Sequence, residues 1–233
     1  MHNADMATVV PGHEPPDRGD TASLSDAQKA LRTQMLATEH WSLLASRSTT
    51  QSEVLTRIAI FLTLVSAGLV SLGVLGNATG FRGWFGVAAI GVLALLVLLG
   101  VITQLRAFNT AAEDLVYVLA MNRLRRAYLD LDPGIARYFL TGTTDDETGA
   151  KITNFPFATR DRSQVFASSM MVMLVVNTAL VGMFVGAVVF ALSASLGWAI
   201  AAGTVIAIAQ FVVWMVRGYR SYRGTLDAHS PLR

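Results

Sequence analysis

Apolar residues in this chain are gathered into long blocks rather than spread evenly, and four blocks dominate: 58–76, 84–102, 165–192 and 196–216. A helix rises about 1.5 Å per residue, so roughly 20 apolar residues cross a hydrocarbon layer about 30 Å thick, and each block suffices. The blocks fall into two pairs. Within a pair the link is short and nearly free of charge, while the stretch between the pairs is long, polar and rich in arginine. The pattern predicts an all-α polytopic membrane protein, with four transmembrane helices in two hairpins at 58–102 and 165–216.

The polar segments carry their own patterns. Residues 1–22 hold Pro11, Pro15, Pro16 and several charges with little apolar surface, which predicts a disordered tail. From Ser23 or Ser25, as caps, a helix is expected over 23–57, with Leu24, Ala27, Leu31, Met35 and Trp41 toward one side, running into the first span. The serine- and threonine-rich stretch 46–52 is expected to loosen it. The connector 103–164 is expected to continue the second span as helix to about Asp130, where Asp132, Pro133 and Gly134 signal a stop; a short helix over 135–140 should follow. Residues 217–233 form the last polar tail.

The connector helix has an unusual feature. At 100° per residue, Phe108, Ala112, Leu115 and Leu119 make one apolar stripe, and Tyr117, Met121, Leu124 and Tyr128 make another nearly opposite. The apolar face changes sides near Tyr117. Two partners are therefore expected for one helix. Either the 23–57 and 135–140 helices cover the two stripes within one subunit, or one stripe, with Leu124 and Tyr128, is an oligomer or partner contact.

Composition strengthens the membrane reading, since 53% of the residues are hydrophobic and 15% charged, with a mean hydropathy of +0.49. The formal charge of +2 does not point to nucleic acid, because the arginines cluster beside the apolar blocks. They set topology instead. Lys29, Arg32, Arg47 and Arg57 precede the first span, Arg106, Arg123, Arg125, Arg126, Arg137, Lys151, Arg160 and Arg162 lie between the hairpins, and Arg217, Arg220, Arg223 and Arg233 follow the last. The two links hold only Arg82. The positive-inside bias predicts both termini and the connector in the cytoplasm. Trp84 and Trp198 would anchor one interface, and Trp214, Tyr219 and Tyr222 the other. No short secretory core stands near the start, so the N-terminus is expected to be retained.

Candidate chemistry is sparse. Cysteine is absent, which removes disulfides and thiolate sites, and His2, His13, His40 and His229 are scattered without ligand spacing. The run Thr-Gly-Thr-Thr-Asp-Asp-Glu-Thr-Gly at 141–149 lacks the order of a P-loop or a calcium loop and is expected to be a solvated acidic turn. No cofactor or metal is expected, and an enzyme is not. The four spans contain no Asp, Glu, Lys, Arg or His, and no proline, so ion coupling and broken binding helices have no residues to use. Their largest polar groups, Asn177 and Gln210, lie about 17 and 16 residues from the middle of the second link, hence at nearly one depth. They are expected to pair across the hairpin, or to line a pore in an oligomer. Gly182 and Gly186 have the spacing that permits close helix approach. Arg123, Arg125 and Arg126 are candidates for contact with anionic lipid or a protein partner.

The segments His-Trp-Ser-Leu-Leu-Ala-Ser-Arg at 40–47, Met-Asn-Arg-Leu-Arg-Arg-Ala-Tyr-Leu-Asp at 121–130 and Tyr-Phe-Leu-Thr-Gly-Thr-Thr-Asp-Asp at 138–146, with the hairpins around them, resemble a group of uncharacterised bacterial four-span integral membrane proteins. That resemblance implies a bacterial cytoplasmic membrane and supplies no reaction. A looser similarity is to SLATT-type effectors, in which a membrane hairpin joined to cytoplasmic helices is thought to form pores; this chain adds a second hairpin. The expected function is that of a non-enzymatic scaffold or regulator acting by helix association, with membrane lipid and a second copy or protein partner as its contacts. An oligomeric pore is the alternative.

Overall fold

The computed structural model describes residues 24–156, 168–229 and 231. The expected tail at 1–22, Arg160, Arg162, the start of the third apolar block and Arg233 lie outside the described residues. Among the described residues there is no strand, and the fold is all-α. Helix α1 spans Asp26–Thr79 and α2 spans Phe85–Leu131; after a 3₁₀ helix at Pro133–Tyr138 come α3, Glu147–Asn154, then α4, Ser169–Ser193, and α5, Leu196–Asp227. Four of these, α1, α2, α4 and α5, are long and apolar enough to cross a membrane.

Each boundary has a local cause. Ser25 caps α1 with a reciprocal capping box, its hydroxyl accepting from the Gln28 amide at 3.3 Å while the Gln28 side chain accepts from the Ser25 amide at 2.9 Å. Gly80, at φ 58°, ends the helix in the left-handed region that glycine adopts without strain. At the end of α2, Asp132 accepts a bond from the Gly134 amide at 2.8 Å, and Pro133 starts the 3₁₀ helix. This is the stop that the Asp-Pro-Gly run signals. The short helix expected over 135–140 is a 3₁₀ helix at Pro133–Tyr138, and none of its residues is buried.

The serine- and threonine-rich stretch does not loosen α1, which runs unbroken for 54 residues, about 81 Å at 1.5 Å per residue. Thr49 and Thr56 donate to the carbonyls of Ala45 and Ser52 inside the helix, so their hydroxyls are satisfied without leaving helical geometry. Long-range ties hold the same stretch to α2. Arg47 and Gln51 both bond to Asp114, and Arg106 bonds to Glu53 and Glu113.

The transmembrane part is sealed by Ile58, Phe61 and Val65 of α1, Leu93 and Leu96 of α2, and Met173 and Leu180 of α4, all buried in one cluster. Val70, Val74, Val87, Leu98, Val205 and Val213 point outward and are more than half exposed, the surface that a hydrocarbon solvent accepts. In the second hairpin Gly182 and Gly186 do bring helices together: Gly182 lies against Gly203, where an added Cβ would meet the Gly182 carbonyl at 2.6 Å, and Gly186 packs on the Ala199 backbone. The N-terminal half of α1, the polar half of α2, α3 and the end of α5 gather at one polar end of the molecule. Both hairpin links lie at the other.

Candidate functional site

At the polar end the two stripes of α2 are both covered from within the chain. Leu115 and Leu119 of the first stripe are buried with Val118 against Ala150 of α3 and Tyr222 and Leu226 of α5, while Phe108 stacks on Trp214 with ring centres 5.4 Å apart. On the other side Met121 is buried, and the Tyr128 ring lies 6.3 Å from that of His40 on α1. The change of face near Tyr117 thus serves two partners in one subunit. They are α1 on one side and α3 with α5 on the other. The 135–140 segment expected in that place is instead the 3₁₀ helix described above.

Between these layers sits a polar knot centred on Asn122, which is fully buried. Its amide donates to the Thr144 carbonyl at 3.0 Å, and its carbonyl oxygen accepts from Thr153 at 2.7 Å and from Arg125 at 2.6 Å. Thr153 in turn accepts from the Gly142 amide at 3.1 Å. A buried amide so fully bonded specifies one arrangement of its neighbours, because losing any partner strands a polar group away from water. Asp146 caps α3, accepting from the Gly149 amide at 2.7 Å and from the Thr144 hydroxyl at 2.8 Å. Gly142 and Gly149 touch backbone to backbone, which leaves no room for a Cβ at either position.

The 141–149 run is therefore not simply a solvated acidic turn. Asp145 has a side chain only 6% exposed and receives Arg123 Nη2 at 2.6 Å and Nε at 2.8 Å, with His229 Nε2 at 3.1 Å from the same oxygen. The carboxylate is tolerated there because its charge is answered by a guanidinium reaching from α2, with the imidazole just past the end of α5 within hydrogen-bond distance. The effect is to clasp three parts of the chain together. The Nε2 of His229 lies within hydrogen-bond distance of both Asp145 and Arg123, donating to the carboxylate in one tautomer and accepting from the guanidinium in the other.

The arginine trio is engaged in the same region. Arg123 holds Asp145, Arg125 holds Asn122, and Arg126 pairs with Asp130 one turn on. Burial, with the charge of Arg47 nearby, lowers the pKa of Arg125 from its ordinary value. Arg123 stands about 21 residues past residue 102, roughly 31 Å along the α2 axis. Leu124, half-buried, lines a recess with Glu39 and Leu43 of α1, Thr225 of α5 and His229 just beyond it.

Inside the membrane part, Asn177 does not pair with Gln210. Its amide donates to the side-chain oxygen of Gln104 on α2, and both side chains are almost completely buried. Gly100 makes the room, since an added Cβ there would run into the Asn177 side chain. Equal depth in one hairpin put Asn177 and Gln210 level but not face to face; Asn177 points toward α1 and α2, where Phe61 and Gly100 pack, whereas Gln210 is half-buried on another face of its own helix. Gln104 was missed because it lies two residues beyond the end of the second apolar block. The signal was present in the unbroken helical phase from 85 onward, which carries position 104 on the same side as the buried Leu93, Leu96 and Gly100.

Among the described residues, nothing covers one surface at the polar end. Leu31, Met35 and Trp41 of α1 are 59%, 66% and 70% exposed, on the side away from His40, Leu43 and Arg47, which face α2 or the recess beside it. Compared with protein-family models, curated proteins and solved structures, the chain matches none, so the knot, the amide pair and this bare helix face are the observations from which its function has to be read.

Proposed function

We propose that the chain is a multi-pass protein of a bacterial cytoplasmic membrane, with both termini and the connector in the cytoplasm, that acts as a non-enzymatic scaffold or regulator by associating through the outer face of α1. The orientation rests on the arginines and lysines, which crowd the polar end and leave only Arg82 in the links. The association rests on one observation: three large apolar side chains, Leu31, Met35 and Trp41, stand exposed on a helix that projects from the membrane. A water-facing helix gains nothing from such a stripe unless something covers it, and a second copy presenting the same stripe is the simplest complement. The ties of Arg47 and Gln51 to Asp114 and of Glu53 to Arg106 then hold α1 on α2.

The pore alternative draws less support. Of its two expected lining residues, Asn177 is turned inward onto Gln104 within one chain, and Gln210 is half-buried.

Because cysteine is absent, single substitutions give a clean test. Met35→Cys in native membranes should form a disulfide-linked dimer on mild oxidation, while Leu36→Cys, one residue around the helix and half-buried, should not. Equal, slow cross-linking of both would overturn the association.

A further inference from the structure

A second feature of the polar end lies lower, at the level where the apolar blocks stop. A cleft of about 370 Å³ opens between α2, α3, α4 and α5. Its floor is apolar, formed by Phe108, Met171, Leu174 and Met215, with the Phe108 ring lying parallel to that of Trp214. Gly218 makes that stack possible, since an added Cβ would sit 2.5 Å from the Phe108 ring. Its rim is polar and cationic. Lys151 of α3 bonds to Glu147 at 2.9 Å, Arg223 of α5 approaches the same carboxylate at 3.8 Å and also donates to the Tyr219 hydroxyl at 3.0 Å, and Arg217 lies over the Trp214 ring at 6.0 Å.

Three observations converge on one kind of occupant. The cleft straddles the end of the last apolar block, so its floor is at acyl depth and its rim at headgroup depth. Two rim cations, Lys151 and Arg223, share the single carboxylate of Glu147, so positive charge exceeds negative at the rim. The volume falls within the range of small-ligand pockets, roughly 300–1,000 Å³, enough for a headgroup and glycerol but not for whole acyl chains. We propose that this cleft seats the phosphate and glycerol of an anionic phospholipid from the leaflet at the polar end, the phosphate meeting Lys151 and Arg223 and the first acyl carbons lying on Phe108, Met171 and Trp214. Such a lipid would bridge α3, in the connector, to the second hairpin. It goes beyond the association through α1 and does not depend on it.

The test uses the full chain purified in mild detergent and two lipids with the same oleoyl chains, phosphatidylglycerol and phosphatidylcholine, with retention read by native mass spectrometry. The wild type should retain phosphatidylglycerol with a preference of roughly thirtyfold, two cations each contributing on the order of fivefold. Lys151→Gln with Arg223→Gln should bring that preference near unity with helicity by circular dichroism unchanged, and Lys151→Arg with Arg223→Lys should keep it. Arg126→Gln, changed at an exposed i,i+4 pair far along α2, should leave it intact. Equal retention of the two lipids by the wild type, or a preference that survives the double glutamine change, would overturn the proposal.

Discussion

His40 shows how a single side chain can make the packing of α1 on α2 sensitive to pH. Its ring stands beside Tyr128, its Nδ1 is buried without a hydrogen-bond partner among the described residues, and burial first, then the charge of Arg125, holds its pKa below the ordinary imidazole value. The unfolded chain therefore takes up a proton before the folded one does. The stabilising effect of a neutral His40 is whole above the unfolded value, about 6.5, and is lost as pH falls below it toward the lowered folded value. Acidification from pH 7.5 to 5.5 should accordingly speed proteolysis of the 24–57 arm, and His40→Phe should flatten that part of the profile; an arm whose cleavage rate is indifferent to pH in the wild type would contradict this. At this scale the sequence was least informative. His40 looked like a scattered polar residue and Asp145 like part of a solvated acidic turn, because what defines them lies at Tyr128, Arg123 and His229, between 22 and 88 positions away along the chain. Asn122 gave no sign at all, since a buried amide differs from an exposed one only in its neighbours.

Helices, by contrast, were largely legible, because apolar blocks, caps and stops act over a few residues. The four spans, the Ser25 cap and the Asp132 stop follow from local chemistry, and so does the change of apolar face on α2 near Tyr117. The misjudged elements were those in which local propensity meets a tertiary tie: 46–52 stays helical while the Thr49 hydroxyl bonds back to Ala45 and Asp114 grips Arg47 and Gln51, and the short helix expected over 135–140 is a 3₁₀ helix at Pro133–Tyr138. The small-residue spacing of α4 gives an element-level prediction. Gly182 and Gly203 bring the α4 and α5 backbones into contact, so Gly203→Leu must push the hairpin apart or force side chains off their rotamers, at about 1–3 kcal/mol. Gly73→Leu, on a face of α1 with open space, should change little. Unfolding of the two variants in detergent mixtures gives the comparison, and equal stability would mean that the close approach contributes nothing.

For the molecule as a whole, the question is what joins two hairpins that each form from adjacent segments. The apolar contacts of Phe61, Leu93 and Met173 hold them together but are tolerant of sliding, since hydrocarbon against hydrocarbon has no preferred register and lipid competes for the same surfaces. The Asn177–Gln104 bond is the directional element at that junction. It lies between α2 and α4, and α2 continues rigidly for about 18 residues, roughly 27 Å, to Asn122 and its knot. A rotation of α2 by one residue, 100°, would carry Asn122 off Thr144 and Leu115 off Ala150 together. Changing one partner leaves the other amide buried and unsatisfied, so Asn177→Leu and Gln104→Leu should each destabilise the chain by about 1–3 kcal/mol. Replacing both removes the stranded group as well as the bond. The double variant should therefore recover a substantial part of the loss, giving a coupling of about 0.5–2 kcal/mol in a cycle read by unfolding in detergent mixtures. Simple additivity of the two single losses would show that the hairpins are registered by packing alone, and the knot at the polar end would then have to be what sets the phase of α2.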